Sequence, residues 1–242
     1  MPAFQFGTTT IDYSISRIES KKDVAITIDW IDGINVVAPL EISDIQIEQI
    51  LYKKAPWILK KWSEFSEINQ LPKPKEFLSG EKFPYLGRNY KLKVSTTESI
   101  KEATLLFHQG RFLSQIPTNY DESKRHESLK QLFKEWYIKH GHQKVKERLK
   151  IYCPKLELYP SKLIVKEQQL RWGSCTKNGT ININWKILMA PMRVVDYVIV
   201  HELAHLKYPD HSSDFWRLVQ LTLPDYESRK EWLRINGPTL TF

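Results

Sequence analysis

The chain has 242 residues, of which 41% are hydrophobic and 12% aromatic, and a formal net charge of +8. This composition excludes a disordered chain and suits one large core or two lobes, and no stretch approaches the ~20 apolar residues of a membrane span. The first seven residues lack the basic start and apolar run of a signal peptide, and two cysteines without C-x-x-C spacing give no disulfide framework, so a cytoplasmic protein is expected.

The basic excess favours anionic partners, whether nucleic acid, nucleotides or acidic peptides, although no nucleic-acid-binding motif accompanies it. Residues 4–39 alternate apolar and polar positions, with Val24, Ile26, Ile28 and Trp30 before Asp32-Gly33, the pattern of an antiparallel hairpin. Ser43 then suits a helix cap, Ile47, Ile50 and Leu51 share one face, and Pro56 is expected to start a second helix carrying Trp57, Ile58, Trp62 and Phe65. Beyond Pro72 and Pro74, Gly80, Gly87 and Gly110 separate short strands, including residues 105–107 and 112–116.

Residues 121–152 read as a long amphipathic helix, with Leu129, Leu132, Phe133, Trp136, Val145 and Leu149 at helical spacing. His140 and His142, two apart, cannot form a matched helical pair and read as exposed or capping residues. Residues 162–165, 170–172 and 180–185, with a turn at Asn178-Gly179, predict a small antiparallel sheet. Ser212 or Ser213 is expected to cap a last helix in which Phe215, Leu218, Val219 and Thr222 cover the core before Pro224. No internal repeat is visible.

The most specific feature lies between these segments, in Val200-His201-Glu202-Leu203-Ala204-His205-Leu206, with His211 six residues further on. His201 and His205 are four apart and share one helix face, so both imidazoles can reach one cation. Pro191 suits the first helical position, and Val194, Val195, Val198, Ile199, Leu203 and Leu206 make the helix apolar on most sides. Burying two imidazoles and a carboxylate there without partners would cost at least ~2 kcal/mol per group, and a bound cation removes that cost.

Zinc suits three neutral imidazoles, which leave a fourth position for water. The cation lowers the pKa of that water toward roughly 7, and Glu202 accepts its proton and passes it on. Hydrolysis is the implied chemistry. Pro209 turns the chain after Tyr208 and favours His211 as third ligand, with Glu227 and Glu231 as alternatives. Metzincins share the six-residue offset but have Gly where this chain has Tyr208 and need a later Met-turn, whereas the last Met is Met192. Asp210 and Asp214 flank His211 and can orient a ligand imidazole.

Lys162, Lys166, Arg171, Lys177 and Lys186 fall just before this helix, and Arg171 is the leading candidate for a substrate or anion contact. Pairs such as Lys60-Lys61 and Lys124-Arg125 read as solvated helix faces. Tyr208, Tyr226 and Arg171 are candidates to stabilise an oxyanion, with Tyr208 also a candidate substrate contact. Cys175 reads as a small buried residue.

Arg171-Trp172-Gly173-Ser174-Cys175, Ile181-Asn182-Ile183-Asn184-Trp185, the His-Glu-Leu-Ala-His run, His211-Ser212 and Phe215-Trp216, in this order, resemble the YgjP-like metallopeptidase family. An upstream part, from Phe77-Leu78-Ser79-Gly80 to Tyr85-Leu86-Gly87 and Tyr90, is similar to that family's N-terminal half. Asp210 departs from the Asn common in relatives. The resemblance implies a zincin-type catalytic helix, distantly like those of SprT and WLM proteases, with zinc held by His201, His205 and His211 and Glu202 as acid and base. It leaves two substrate classes, peptides and nucleoside triphosphates such as UTP, the latter through a pyrophosphatase activity associated with members. A catalytically idle metal-binding module is the third reading, and the intact Glu202 argues against it.

The expected fold class is α+β, with a strand-rich N-terminal lobe over residues 1–118 and a zincin-like lobe over residues 119–242 that carries the small sheet and the active-site helix. If the resemblance holds, residues 180–185 form the sheet edge that receives a substrate backbone by strand addition.

Overall fold

The structure, a computed structural model, describes residues 2–19, 23–29, 33–66, 74–168 and 171–242, with the side chains of 29 and 62–66 left aside. Trp30, Asp32, Pro72 and Leu170, and the side chains of Trp62 and Phe65, lie outside the described residues. Among the described residues the architecture is α+β, with three small sheets and five α-helices.

The first sheet comprises β1 (Ala3–Phe6), β2 (Thr9–Arg17), β3 (Ala25–Asp29) and β4 (Gly33–Ala38), ordered β1-β2-β4-β3. β3 and β4 form the expected antiparallel hairpin, and β2 and β4 run parallel between two antiparallel neighbours. Helix α1 (Asp44–Ser66) follows. Ser43 Oγ accepts from Gln46 N–H at 3.3 Å while Gln46 Oε1 accepts from Ser43 N–H at 3.0 Å, a reciprocal cap at the helix start.

Pro56 does not start a second helix; it sits inside α1, which continues through it. Ile47, Leu51, Ala55 and Ile58 form one buried stripe that packs on Phe4, Ile11, Ile34 and Val36, so burial on both sides of Pro56 outweighs the hydrogen bond its ring removes.

The second sheet repeats this topology. β5 (Lys82–Tyr85), β6 (Arg88–Thr97), β7 (Thr104–His108) and β8 (Arg111–Pro117) are ordered β5-β6-β8-β7, with β6 and β8 parallel and both outer pairs antiparallel. A helix again follows, α2 (Glu122–Leu156), whose cap Asp121 accepts from Lys124 N–H at 2.7 Å. The repeat that the residue pattern does not reveal is therefore present in the strand order.

The third sheet holds β9 (Lys162–Lys166), β10 (Gly173–Cys175) and β11 (Thr180–Asn184), ordered β10-β11-β9. It differs from expectation in three ways. The strand expected at 170–172 is β10, β9 pairs with β11 in parallel, and Trp185 begins a 3-10 turn rather than ending a strand. Consequently β11 is the central strand and cannot be the open edge expected at residues 180–185; both of its sides are already hydrogen-bonded.

Helix α3 (Met192–Ala204) carries the histidine motif and is buried on every side from Val194 to Ala204. α4 (Ser213–Thr222) begins after Ser212. It is not the last helix: α5 (Tyr226–Asn236) follows Pro224.

Among the described residues the buried hydrophobic side chains fall into two clusters, one from Phe4 to Ile58 and one from Phe77 to Leu240. The second cluster runs without a break across residues 118 and 119, because Phe83, Phe112, Phe133 and Trp136 stack into one aromatic core. The β5–β6 turn then docks on the start of α3. Leu86 and Gly87 both have positive φ, 50° and 80°, as a two-residue hairpin turn requires, and Leu86 N–H donates to Leu188 O at 2.7 Å. A Cβ on Gly87 would stand 2.9 Å from Pro191 Cα, so only glycine lets the turn approach this closely.

Candidate metal centre

Helix α3 is held at several points before it presents its histidines. Arg148 on α2 donates to both carboxylate oxygens of the buried Asp196, at 2.6 and 2.8 Å, which fixes the register of α3 against α2. The next residue, the buried Tyr197, sets its ring edge-on to His201 one turn further on, with centroids 5.9 Å apart. His201 and Glu202 are themselves buried.

The α-helix ends at Ala204, earlier than Pro209 alone requires, and His205 is its C-terminal cap residue. Tyr208 N–H donates to Ala204 O at 2.9 Å, and His205 Nδ1–H donates to Tyr208 O at 3.0 Å. That second bond fixes the tautomer of His205 and reserves its Nε2 lone pair. Through Pro209 and Asp210 the chain returns, and His211 Nε2 comes within 3.2 Å of His201 Nε2.

The donor atoms of His201, His205 and His211 all lie within 4.8 Å of one another. Two nitrogens each 2.0–2.1 Å from a tetrahedral ion are about 3.4 Å apart, so the His201–His211 pair already stands near that separation. Among the described residues this is the one such group; Glu227 and Glu231 do not join it. They line a groove of about 430 Å³ with Trp216, Tyr226, Lys230 and Arg234, where Glu231 accepts from Arg234 at 2.7 and 2.5 Å.

Phe215 supplies the floor of the triad, with its ring centroid 4.9, 4.6 and 4.8 Å from those of His201, His205 and His211. Trp216 stacks on His211 at 5.4 Å and 25° and on Tyr226 at 5.5 Å and 24°. Sequence reasoning treats Phe215 as core cover; its place four residues after His211, at the start of α4, is the signal that it faces the site.

Glu202 lies under strand β10. A Cβ on Gly173 would collide with Glu202 Oε1 and stand 2.6 Å from Glu202 Cδ, so the strand passes over the carboxylate only because residue 173 has no side chain. Cys175, two residues on, is pushed up to about 12 by burial and by the Glu202 charge, and its thiol stays protonated at neutral pH. The N–G turn that returns β10 to β11 places Gly179 at φ 73°.

The remaining candidates have partners of their own. Arg171 is buried and donates from Nη2 to Asp12 O at 3.1 Å, tying this region to the first sheet, while its own carbonyl accepts from Asn184 at 3.0 Å. Lys186 pairs with Glu167 at 3.3 Å. Tyr208 contributes its carbonyl to His205, and Tyr226 donates to Glu227 at 3.3 Å. His140 Nδ1 bonds Trp136 O at 2.8 Å on α2, and His142 is exposed.

The α+β fold gathers three histidines into one cluster, and sequence comparison names the family. A family model described as the YgjP-like, metallopeptidase domain matches residues 22–236, and the chain belongs to that family. A solved structure described as the metallopeptidase zymogen of Pyrococcus abyssi abylysin is similar at 27% identity, covering 36% of this chain and 88% of that one, with a TM-score of 0.33. No curated protein sequence is similar enough to count as a relative. No helix among the described residues is long and apolar enough to cross a membrane.

Proposed function

We propose that the chain is a zinc-dependent peptidase in which Glu202 acts as general base and then general acid. The observation that carries this reading is the convergence of His201, His205 and His211 at the end of a largely apolar, buried helix that also carries Glu202. Three imidazoles are the donor set of a catalytic rather than a closed structural zinc site. When bound, the cation supplies Lewis acidity, polarising a carbonyl and making water easier to deprotonate.

The chain's own groups do the proton work. Glu202 takes a proton from the attacking water, holds it on its carboxylate and delivers it to the amine nitrogen as the C–N bond breaks. Tyr208 O orients His205, and Phe215 excludes water beneath the imidazoles. With β11 enclosed, we assign the substrate backbone to the Cys175 end of β10, one of the two terminal strands of the sheet and the one that passes over Glu202.

Peptide is favoured over phosphoanhydride because two of the five cations expected to serve an anion are engaged, Arg171 with the Asp12 carbonyl and Lys186 with the Glu167 carboxylate. The test compares zinc-loaded wild type with Glu202→Gln on an unfolded protein and on a panel of nucleoside triphosphates. Glu202-dependent cleavage of the protein alone is expected. Glu202-dependent hydrolysis of triphosphates alone would reverse the assignment.

A further inference from the structure

The outer face of the second sheet carries a basic row that crosses all four strands. Lys82 stands opposite Lys91, Lys91 opposite Arg111 and Arg111 opposite His108. All four are exposed, as is Lys93, two residues along β6 on the same face. With strands ~4.8 Å apart, the row spans roughly 14 Å. None of the four strands contains Asp or Glu. Among the described residues, no carboxylate lies within ion-pair distance of Lys82, Lys91, Lys93 or Arg111.

Like charges directly opposite one another destabilise a sheet, so this row works against the fold that displays it. The first sheet serves as a control within the same chain. It has the same strand order, yet its corresponding pairs are Ala3 opposite Asp12 and Gly33 opposite Asp29, with no cation among them. The topology therefore does not demand the basic row. The inward residues Phe83, Leu92 and Phe112 build the core on the other side.

We propose that this face binds the phosphate backbone of a nucleic acid, independently of the metal centre. Regularly spaced cations without an apolar centre match a linear polyanion. Leu106 is the one large exposed hydrophobic residue on these strands, which gives too little apolar surface to enter a membrane or to anchor a protein partner. The aromatic rings of Phe83, Phe107 and Phe112 pack into the core, so contacts go to phosphates rather than stacked bases, with little sequence preference.

The test uses the full chain and a fluorescent single-stranded RNA of about 20 nucleotides, with anisotropy read from about 50 to 200 mM salt. One variant combines Lys82→Gln, Lys91→Gln, Lys93→Gln and Arg111→Gln. A control removes the same charge from exposed positions on α2, through Lys130→Gln, Lys139→Gln, Lys146→Gln and Lys150→Gln. Four phosphate contacts give a slope of log K against log salt near about −2.8, or roughly 50-fold weakening over that range. The expected result is that wild type and control share this slope while the sheet-face variant loses most of it.

Relief of like-charge repulsion keeps the variant folded, which thermal unfolding checks. If it unfolds, Lys91→Gln alone is expected to shallow the slope by about 0.7. Equal loss in face variant and control, no binding by wild type, or tighter binding to phosphatidylserine vesicles or polyglutamate than to RNA would overturn the proposal.

Discussion

Gly173 lies over Glu202 so closely that no Cβ fits between strand β10 and the carboxylate. The hydrogen at residue 173 is what allows the Glu202 carboxylate to sit beneath a terminal strand of the sheet.

Gly173→Ala is therefore expected to destabilise the protein by about 1–3 kcal/mol through overpacking. In a chain of this size that lowers the melting temperature by about 3 to 10 °C. Displacing Glu202 by even ~1 Å is expected to cost peptidase activity about 100-fold. Calorimetry and steady-state assays on the same preparation check both.

The motif on α3 was legible because its signal is local: histidines four apart, a carboxylate between them, and apolar residues on the remaining faces. His211 was legible through Pro209, although the helix stops at Ala204 and the return is made by the bond from His205 to Tyr208 O. Gly173 was not legible as part of the site, since its contact is with a residue 29 positions away in sequence. The position of β11 was hidden for a similar reason. Its parallel pairing with β9 depends on a crossover that period-two alternation does not encode. The repeated four-strand topology leaves no repeat in the residue pattern because the two sheets share inward apolar positions but differ outside, as Asp12 and Lys91 illustrate.

Trp216 stacks on His211, which stands on a loop rather than on α3. Trp216→Leu is expected to weaken zinc affinity by about tenfold, the lower end of the range for groups that orient ligands, while Trp216→Phe retains most of it. Competition titration with a zinc-sensitive dye measures this without reference to activity. Equal affinity in wild type and Trp216→Leu would remove Trp216 from the site.

The Arg148–Asp196 pair holds α3 against α2. Asp196→Ala leaves a guanidinium without its carboxylate in a largely buried setting and is expected to cost about 3 kcal/mol, read as a lower urea midpoint. Arg148→Ala with Asp196→Ala together should cost less than the sum of the single changes.

Glu167 accepts from Lys134 at 2.5 Å and pairs with Lys186. Burial alone would raise its pKa, but the two ammonium groups outweigh it and hold the carboxyl below the usual glutamate range. A depressed folded-state pKa adds stability above the unfolded value and loses it as pH falls through the folded value. Wild type should therefore melt above Glu167→Gln at neutral pH, and the gap should close on acidification below the ordinary glutamate pKa. A gap that widened in acid would contradict the assignment.

With its thiol pushed up to about 12, Cys175 should alkylate at pH 8 roughly a thousandfold more slowly than an unperturbed cysteine. Cys153 is also raised by burial, so labelling is followed site by site by mass spectrometry. Glu202→Gln should speed labelling of Cys175 and leave Cys153 unchanged.

Zinc stoichiometry in purified protein measures most directly whether three imidazoles hold one cation beside Glu202. Wild type and Glu227→Ala are expected to retain one equivalent, whereas His201→Ala, His205→Ala and His211→Ala each lose it while remaining folded. Retention of zinc in His211→Ala together with its loss in Glu227→Ala would contradict the account.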